Sequence, residues 1–138
     1  MRVMVLVKAT PSSEAGLTFS PEEMAMMEAM GRFNEELLAA GVLEAGEGLH
    51  PTSRGRRIAF DGAGRRVIDG PFAPAGEQVA GFWIWKVLDM DEAVMWGTRC
   101  PNPMPGPCEI EIRPIYADEE FMPQIREHEA RMRERRRG

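Results

Sequence analysis

Apolar residues crowd residues 2–9 (RVMVLVKA) almost without a polar break. Such a run predicts a strand covered on both faces. The stretch after it, TPSSEAGLTF, is small and polar and predicts a loop. The pattern then changes period. Met26, Met30, Phe33, Leu37 and Ala40 recur at spacings of four and three, with Met27, Gly31 and Leu38 beside them. Glu28, Arg32, Glu35 and Glu36 fall on the opposite side. This is a helix covering a sheet. Ser20 caps its start, Pro21 suits the first turn, and Glu23 is placed to close a capping box. Gly41 supplies the stop. The methionines at 24, 26, 27 and 30 fit two roles, core filling or a soft ligand-binding surface. A methionine stripe at helical spacing reads first as core filling.

Residues 41–51 (GVLEAGEGLHP) predict a second strand, weakened by Gly46 and Gly48. A glycine inside a strand marks a bulge or the close approach of another group. Residues 56–61 (RRIAFD) and 65–69 (RRVID) flank DGAG and predict a hairpin. Residues 79–88 (VAGFWIWKVL) are the strongest strand of the chain. Val79, Gly81, Trp83, Trp85 and Val87 face one way, and Phe82, Ile84, Lys86 and Leu88 the other. Both faces are bulky, so both need a cover. Asp89 and Glu92 open a second helix that ends near Cys100, before Pro101. CEIEIRP alternates cleanly as a half-exposed strand, with Cys108, Ile110 and Ile112 inward. The remainder is charged. It carries a thin stripe of Phe121, Ile125 and Met132 and predicts an appended helix, part docked and part solvated.

This order predicts an α+β fold, the ferredoxin-like βαββαβ pattern with an extra hairpin. Helices lie on one face of an antiparallel sheet. The other, apolar face is best covered by a second copy, so the expected assembly is a homodimer that closes as a dimeric α/β barrel. The division is a domain over 1–116 and a helical extension over 117–138.

Composition narrows the picture. The 138 residues are 43% hydrophobic and 28% charged, with net charge −5. That is a globular balance, with no general pull toward nucleic acid or an anionic membrane. The arginines of RMRERRRG complement a helix C-terminus, so nucleic acid is not an expected partner. Two cysteines, Cys100 and Cys108, build neither a disulfide framework nor a standard metal site with the two histidines. No metal and no cofactor is expected. Neither a signal peptide nor a membrane span is predicted, and the expected location is the cytoplasm. Phosphate-loop, dinucleotide-binding and nucleophile-elbow motifs are absent.

The segment VIDGPFAPAGEQVAGFWIWKV resembles the DGPF motif of the YCII-related proteins. SPEEM, ELLAAGVLEAGEGLHP, DMDEAVMW and EIEIRPI agree with it in order, over residues 2–116. The resemblance implies a dimeric α+β barrel and a role accessory to a sigma-factor regulatory system. For one branch it implies acid/base chemistry by a histidine–aspartate pair, with the histidine on the first long helix. Residues 21–40 of this chain hold no histidine.

Two residues are candidates for chemistry. Asp69 opens Asp-Gly-Pro-Phe, which turn chemistry alone explains: the aspartate bonds the backbone ahead, glycine takes an unusual φ, proline fixes the exit and Phe72 enters the core. A carboxylate at a strand end is equally placed to act as base, acid or ligand anchor. His50 ends the second strand and meets Asp69 if both strand ends share an edge, giving an acid/base unit. The expected cleft for a small molecule is lined by Lys8, Glu47, Gly70, Pro71, Phe72 and Glu77. Two functions follow: a dimeric binding or accessory protein, or a cofactor-free hydrolase or lyase acting through Asp69 and His50.

Overall fold

The computed structural model describes residues 1–137. Four strands form one antiparallel sheet: β1 (Arg2–Lys8), β2 (Leu43–Gly48), β5 (Val79–Lys86) and β6 (Ile110–Pro114). Their order is β2-β5-β1-β6. Between β2 and β5 the chain makes a separate two-stranded hairpin, β3 (Arg56–Asp61) and β4 (Gly64–Asp69). The helices are α1 (Pro11–Glu14), α2 (Pro21–Ala39), α3 (Met90–Arg99) and α4 (Asp118–Arg137). Leaving the hairpin aside, this is the ferredoxin-like arrangement.

Alternation decides which side is dry. Val3, Val5 and Val7 of β1, Trp83 and Trp85 of β5 and Val87 just after it point to the helical face and are buried. Phe33 and Leu37 of α2 and Ala93 and Trp96 of α3 close over them. Phe33 meets Trp83, Trp85 and Trp96 edge-on, at centroid distances of 6.1, 6.2 and 6.4 Å. Such contacts add to the area that the rings bury. The indole N–H of fully buried Trp85 has no partner among the described residues. On the opposite face Leu6 lies across from Phe82 and Met4 from Ile84, and all four are half-buried.

Four local expectations change. The polar stretch after β1 holds a short helix, because Thr10 and Ser13 cap one another reciprocally. Ser20 caps α2 as expected, but Glu23 does not turn back to it. Its carboxylate accepts instead from the N–H groups of Thr18, 2.8 Å, and Phe19, 2.7 Å. That tie pins the approach to the helix, where Phe19 holds a φ of +56°. No residue of α4 is buried, so the expected partial docking does not occur; Phe121 rests on Tyr116, 4.7 Å between ring centres. The inward stripe of α2 is also shorter than its periodicity. Phe33 and Leu37 are buried, Met30 is half-buried and Ala40 is exposed.

Candidate functional site

The Asp-Gly-Pro-Phe segment leaves β4 and docks on the turn at Thr52–Arg54. The Gly70 N–H donates to the carbonyl of Gly55, 3.1 Å, and the Phe72 N–H to the Thr52 hydroxyl, 3.0 Å. The Thr52 hydroxyl and N–H both donate to the Glu14 carboxylate, which carries the chain of bonds to α1. A side chain at Gly70 has no room, since a Cβ there would sit 1.7 Å from the Thr52 carbonyl oxygen. Close backbone approach therefore demands this glycine, rather than the unusual φ expected for it. The peptide bonds before Pro71 and Pro74 are cis.

Phe72 does not enter the core. It is half-buried, with the Arg57 guanidinium 4.0 Å from its ring centre. Arg57 in turn donates to Gln78, 2.9 Å, a buried side chain whose amide donates to the Pro74 carbonyl. A stacked cation is favourable over an aromatic ring, and here it also ties the hairpin to the start of β5.

Asp69 lies directly across from Arg56 and pairs with it at 2.9 Å. Its side chain is 76% exposed. His50 faces a different group, the Arg54 guanidinium, at 3.1 and 3.2 Å from its two ring nitrogens. No hydrogen bond joins Asp69 to His50 among the described residues. Each candidate has its own arginine.

The large cleft lies elsewhere, with a volume of about 780 Å³. Its floor is the glycine-rich end of β2 and the start of β5, and one wall is the first half of α2. Met26, Met27 and Met30 line that wall, and Met104 faces them from the 103–105 segment. Met26 and Met27 are thus cleft lining rather than core filling, Met30 does both, and Met24 is exposed. Helical spacing alone cannot separate the two, since both need an apolar stripe.

Trp83 reaches the cleft because Gly46 lets it. A Cβ at Gly46 would lie 2.7 Å from the indole Cδ1, so the ring occupies the place of that side chain. The Trp83 N–H donates to Asn34, 2.9 Å, which fixes the ring against α2. The close approach expected at Gly46 is present; at Gly48 a Cβ would meet nothing within 4 Å. Glu47 and His50 stand at the β2 end of the cleft. Lys8, Asp69, Gly70, Pro71, Phe72 and Glu77 do not line it. The expected site thus divides: Glu47 and His50 belong to the cleft, and the Asp-Gly-Pro-Phe turn belongs to the hairpin anchor.

The chemistry on offer is limited. The cleft presents thioethers, aromatic edges, the carboxylates of Glu23 and Glu47 and the imidazole of His50. Among the described residues no three His, Cys, Asp or Glu side chains cluster as metal ligands. Burial raises the Cys100 thiol to about 11, helped by nearby Cys108, whose own thiol burial also raises. Thiols raised in this way are poor nucleophiles. Among the described residues no helix is long and apolar enough to cross a membrane.

Comparison with known proteins matches this architecture. The profile of the YCII-related domain matches residues 1–117. An uncharacterised protein of Rhizobium meliloti (strain 1021) is 28% identical over 94 residues, which is 68% of this chain and 76% of that protein. Among solved structures, 5-chloro-2-hydroxyhydroquinone dehydrochlorinase (TftG) of Burkholderia phenoliruptrix AC1100, in complex with 2,5-dihydroxybenzoquinone, superposes with a TM-score of 0.50. Identity to it is 13%, over 87% of this chain and 98% of that one. TftG is of the dimeric α/β-barrel type, so the likeness places this chain in the same broad fold.

Proposed function

This chain belongs to the YCII-related family, and we propose that it is a homodimeric binding protein that holds a small, largely apolar molecule in the methionine-lined cleft. One observation carries the reading: a cleft of about 780 Å³ whose wall is built from Met26, Met27 and Met30 and whose floor is Trp83. Unbranched thioethers adapt to ligands of varied outline, and few polar groups compete with them. Glu47 and His50 at one end would orient a ligand by its hydroxyl or carbonyl groups. Two copies would pair through Met4, Leu6, Phe82 and Ile84, the apolar sheet face that the helices leave uncovered. The cytoplasm is the proposed location, on the free thiols of Cys100 and Cys108, and a sigma-factor regulatory system the proposed setting, on the strength of the family resemblance.

Trp83 provides the test. Titration with 8-anilinonaphthalene-1-sulfonate should quench tryptophan emission saturably, at one site per subunit. Met27→Glu, which puts a charge on a surface residue of the wall, should weaken that binding at least tenfold. Unsaturable quenching, or equal affinity in the variant, would refute a cleft ligand. Sedimentation of the unliganded chain reads the pairing separately, and a monomer at micromolar concentration would refute the dimer.

A second reading, a cofactor-free hydrolase or lyase, has the place of His50 on the cleft in its favour. Asp69, held by Arg56 and off the cleft, does not support it in this conformation. His50→Gln would abolish turnover if that reading holds, and would leave probe binding within twofold if the protein only binds.

A further inference from the structure

Helix α4 is unlike every other element of the fold. It spans Asp118–Arg137, wholly beyond the matched domain, and every one of its residues is exposed, which is true of no other helix or strand. A 20-residue helix is about 30 Å long, and such a rod gains little stability without a packing partner. Its charges are sorted by end. Asp118, Glu119 and Glu120 open it, and Arg131, Arg133, Arg135, Arg136 and Arg137 close it against a single late acid, Glu134. Its apolar residues are sorted by side. Phe121, Ile125 and Met132 fall with His128 within an arc of about 60° at 3.6 residues per turn. The three apolar ones remain 38% to 45% exposed.

We propose that α4 is a pairing helix that docks antiparallel on α4 of a second copy of this chain. The antiparallel sense follows from the charges. It sets the acidic start of each helix beside the basic end of the other, at both ends at once, whereas parallel pairing would oppose like charges at both ends. The stripe sets the register. With Phe121 across from Met132 of the second copy, Ile125 lies across from His128 and Asp118 across from Arg135. All three layers are two-fold related, as an isologous contact requires. Three layers make a small contact, so its charge term gives it a strong salt dependence. It adds to the sheet pairing proposed above without depending on it.

The test uses full-length chains carrying Cys100→Ser and Cys108→Ser. One chain adds Ile125→Cys and the other His128→Cys, and the two are mixed under mild oxidation. A disulfide between them should form at 20 mM NaCl and fall at least fivefold at 500 mM. Asp118→Lys, Glu119→Lys and Glu120→Lys in both chains should remove it. The same three changes in one chain and Arg133→Glu, Arg135→Glu and Arg136→Glu in the other should restore it, because opposite ends then face again. Cross-linking that ignores these charge patterns, or none above a control Cys at Arg126, would overturn the pairing. Salt-sensitive binding of duplex DNA or of a polyglutamate peptide through α4, without the cross-link, would overturn it in favour of that partner. Sedimentation of the chain carrying Asp118→Lys, Glu119→Lys and Glu120→Lys, whose α4 cannot pair with itself, reports sheet pairing alone, so the two contacts stand or fall apart.

Discussion

Replacing Gly70 by alanine should cost more than any change at the aspartate beside it. A Cβ at 70 would sit 1.7 Å from the carbonyl oxygen of Thr52 and 2.7 Å from its carbon. Both are backbone atoms, so no side chain can rotate away. The two segments must part by more than an ångström. That breaks the Gly70 to Gly55 and Phe72 to Thr52 hydrogen bonds, about 1 kcal/mol each, and lifts Phe72 from its half-buried seat under Arg57, about 1 kcal/mol more. The expected loss is about 3 kcal/mol. With a urea slope of about 2 kcal/mol/M the unfolding midpoint should fall by about 1.5 M, at fixed protein concentration. Gly76→Ala is the control, since a Cβ there meets nothing within 4 Å. Asp69→Asn, which removes one exposed ion pair, should cost under about 1 kcal/mol. If Gly70→Ala unfolds with the wild-type midpoint, close backbone approach is not the reason for this glycine.

Three further outcomes follow from the geometry. Gly46→Ala would drive Trp83 off its seat, at a cost of about 1–3 kcal/mol by overpacking, and should red-shift tryptophan emission while weakening probe binding in the cleft. Glu23 has its carboxyl held below the usual range by the N–H groups of Thr18 and Phe19. Its contribution is therefore present above the unfolded-state value, about 4.3, and is lost as pH falls through the lower folded one. Glu23→Gln should flatten that part of the acid-stability curve, and an unchanged curve would contradict the tie. Cys100, raised to about 11, should react with iodoacetamide at pH 8 about a hundredfold more slowly than a free cysteine. Equal rates would show that its burial is not maintained in solution.

Much of the fold was legible because its signals are local. Strict alternation in β5 sorts Trp83 and Trp85 from Phe82 and Ile84 without knowledge of any neighbour. Ser20 and Asp89 announce their helices by the same logic, and both cap as read. What stayed hidden depends on distant pairs. Nothing in RRIAFDGAGRRVID says that its strands pair only with each other. The same alternation suits a strand inside the sheet. Gly70 looks like a turn glycine, and only the position of Thr52, far back along the chain, shows that space is the constraint. Met26 and Phe33 share one helical stripe, yet one lines a cleft and the other packs on the tryptophans of β5, and spacing along the helix does not tell where the packing opens. The His50–Asp69 pairing failed for a related reason. Both sit at strand ends, but the strands belong to different sheets.

The hairpin of β3 and β4 is bound at its root and nowhere along its length to the register of the four-stranded sheet. Its tip is thus insulated from the rest of the molecule. Two residues inserted at Ala63, one for each strand, would lengthen the arm by about 3.4 Å and leave every helix where it stands. Ile58, Phe60 and Val67, three greasy side chains on one flank of that arm, are free to diverge with whatever they meet. Related chains can accordingly trade loop length and surface character here at little cost in folding, while the root at Thr52 and Gly70 stays fixed.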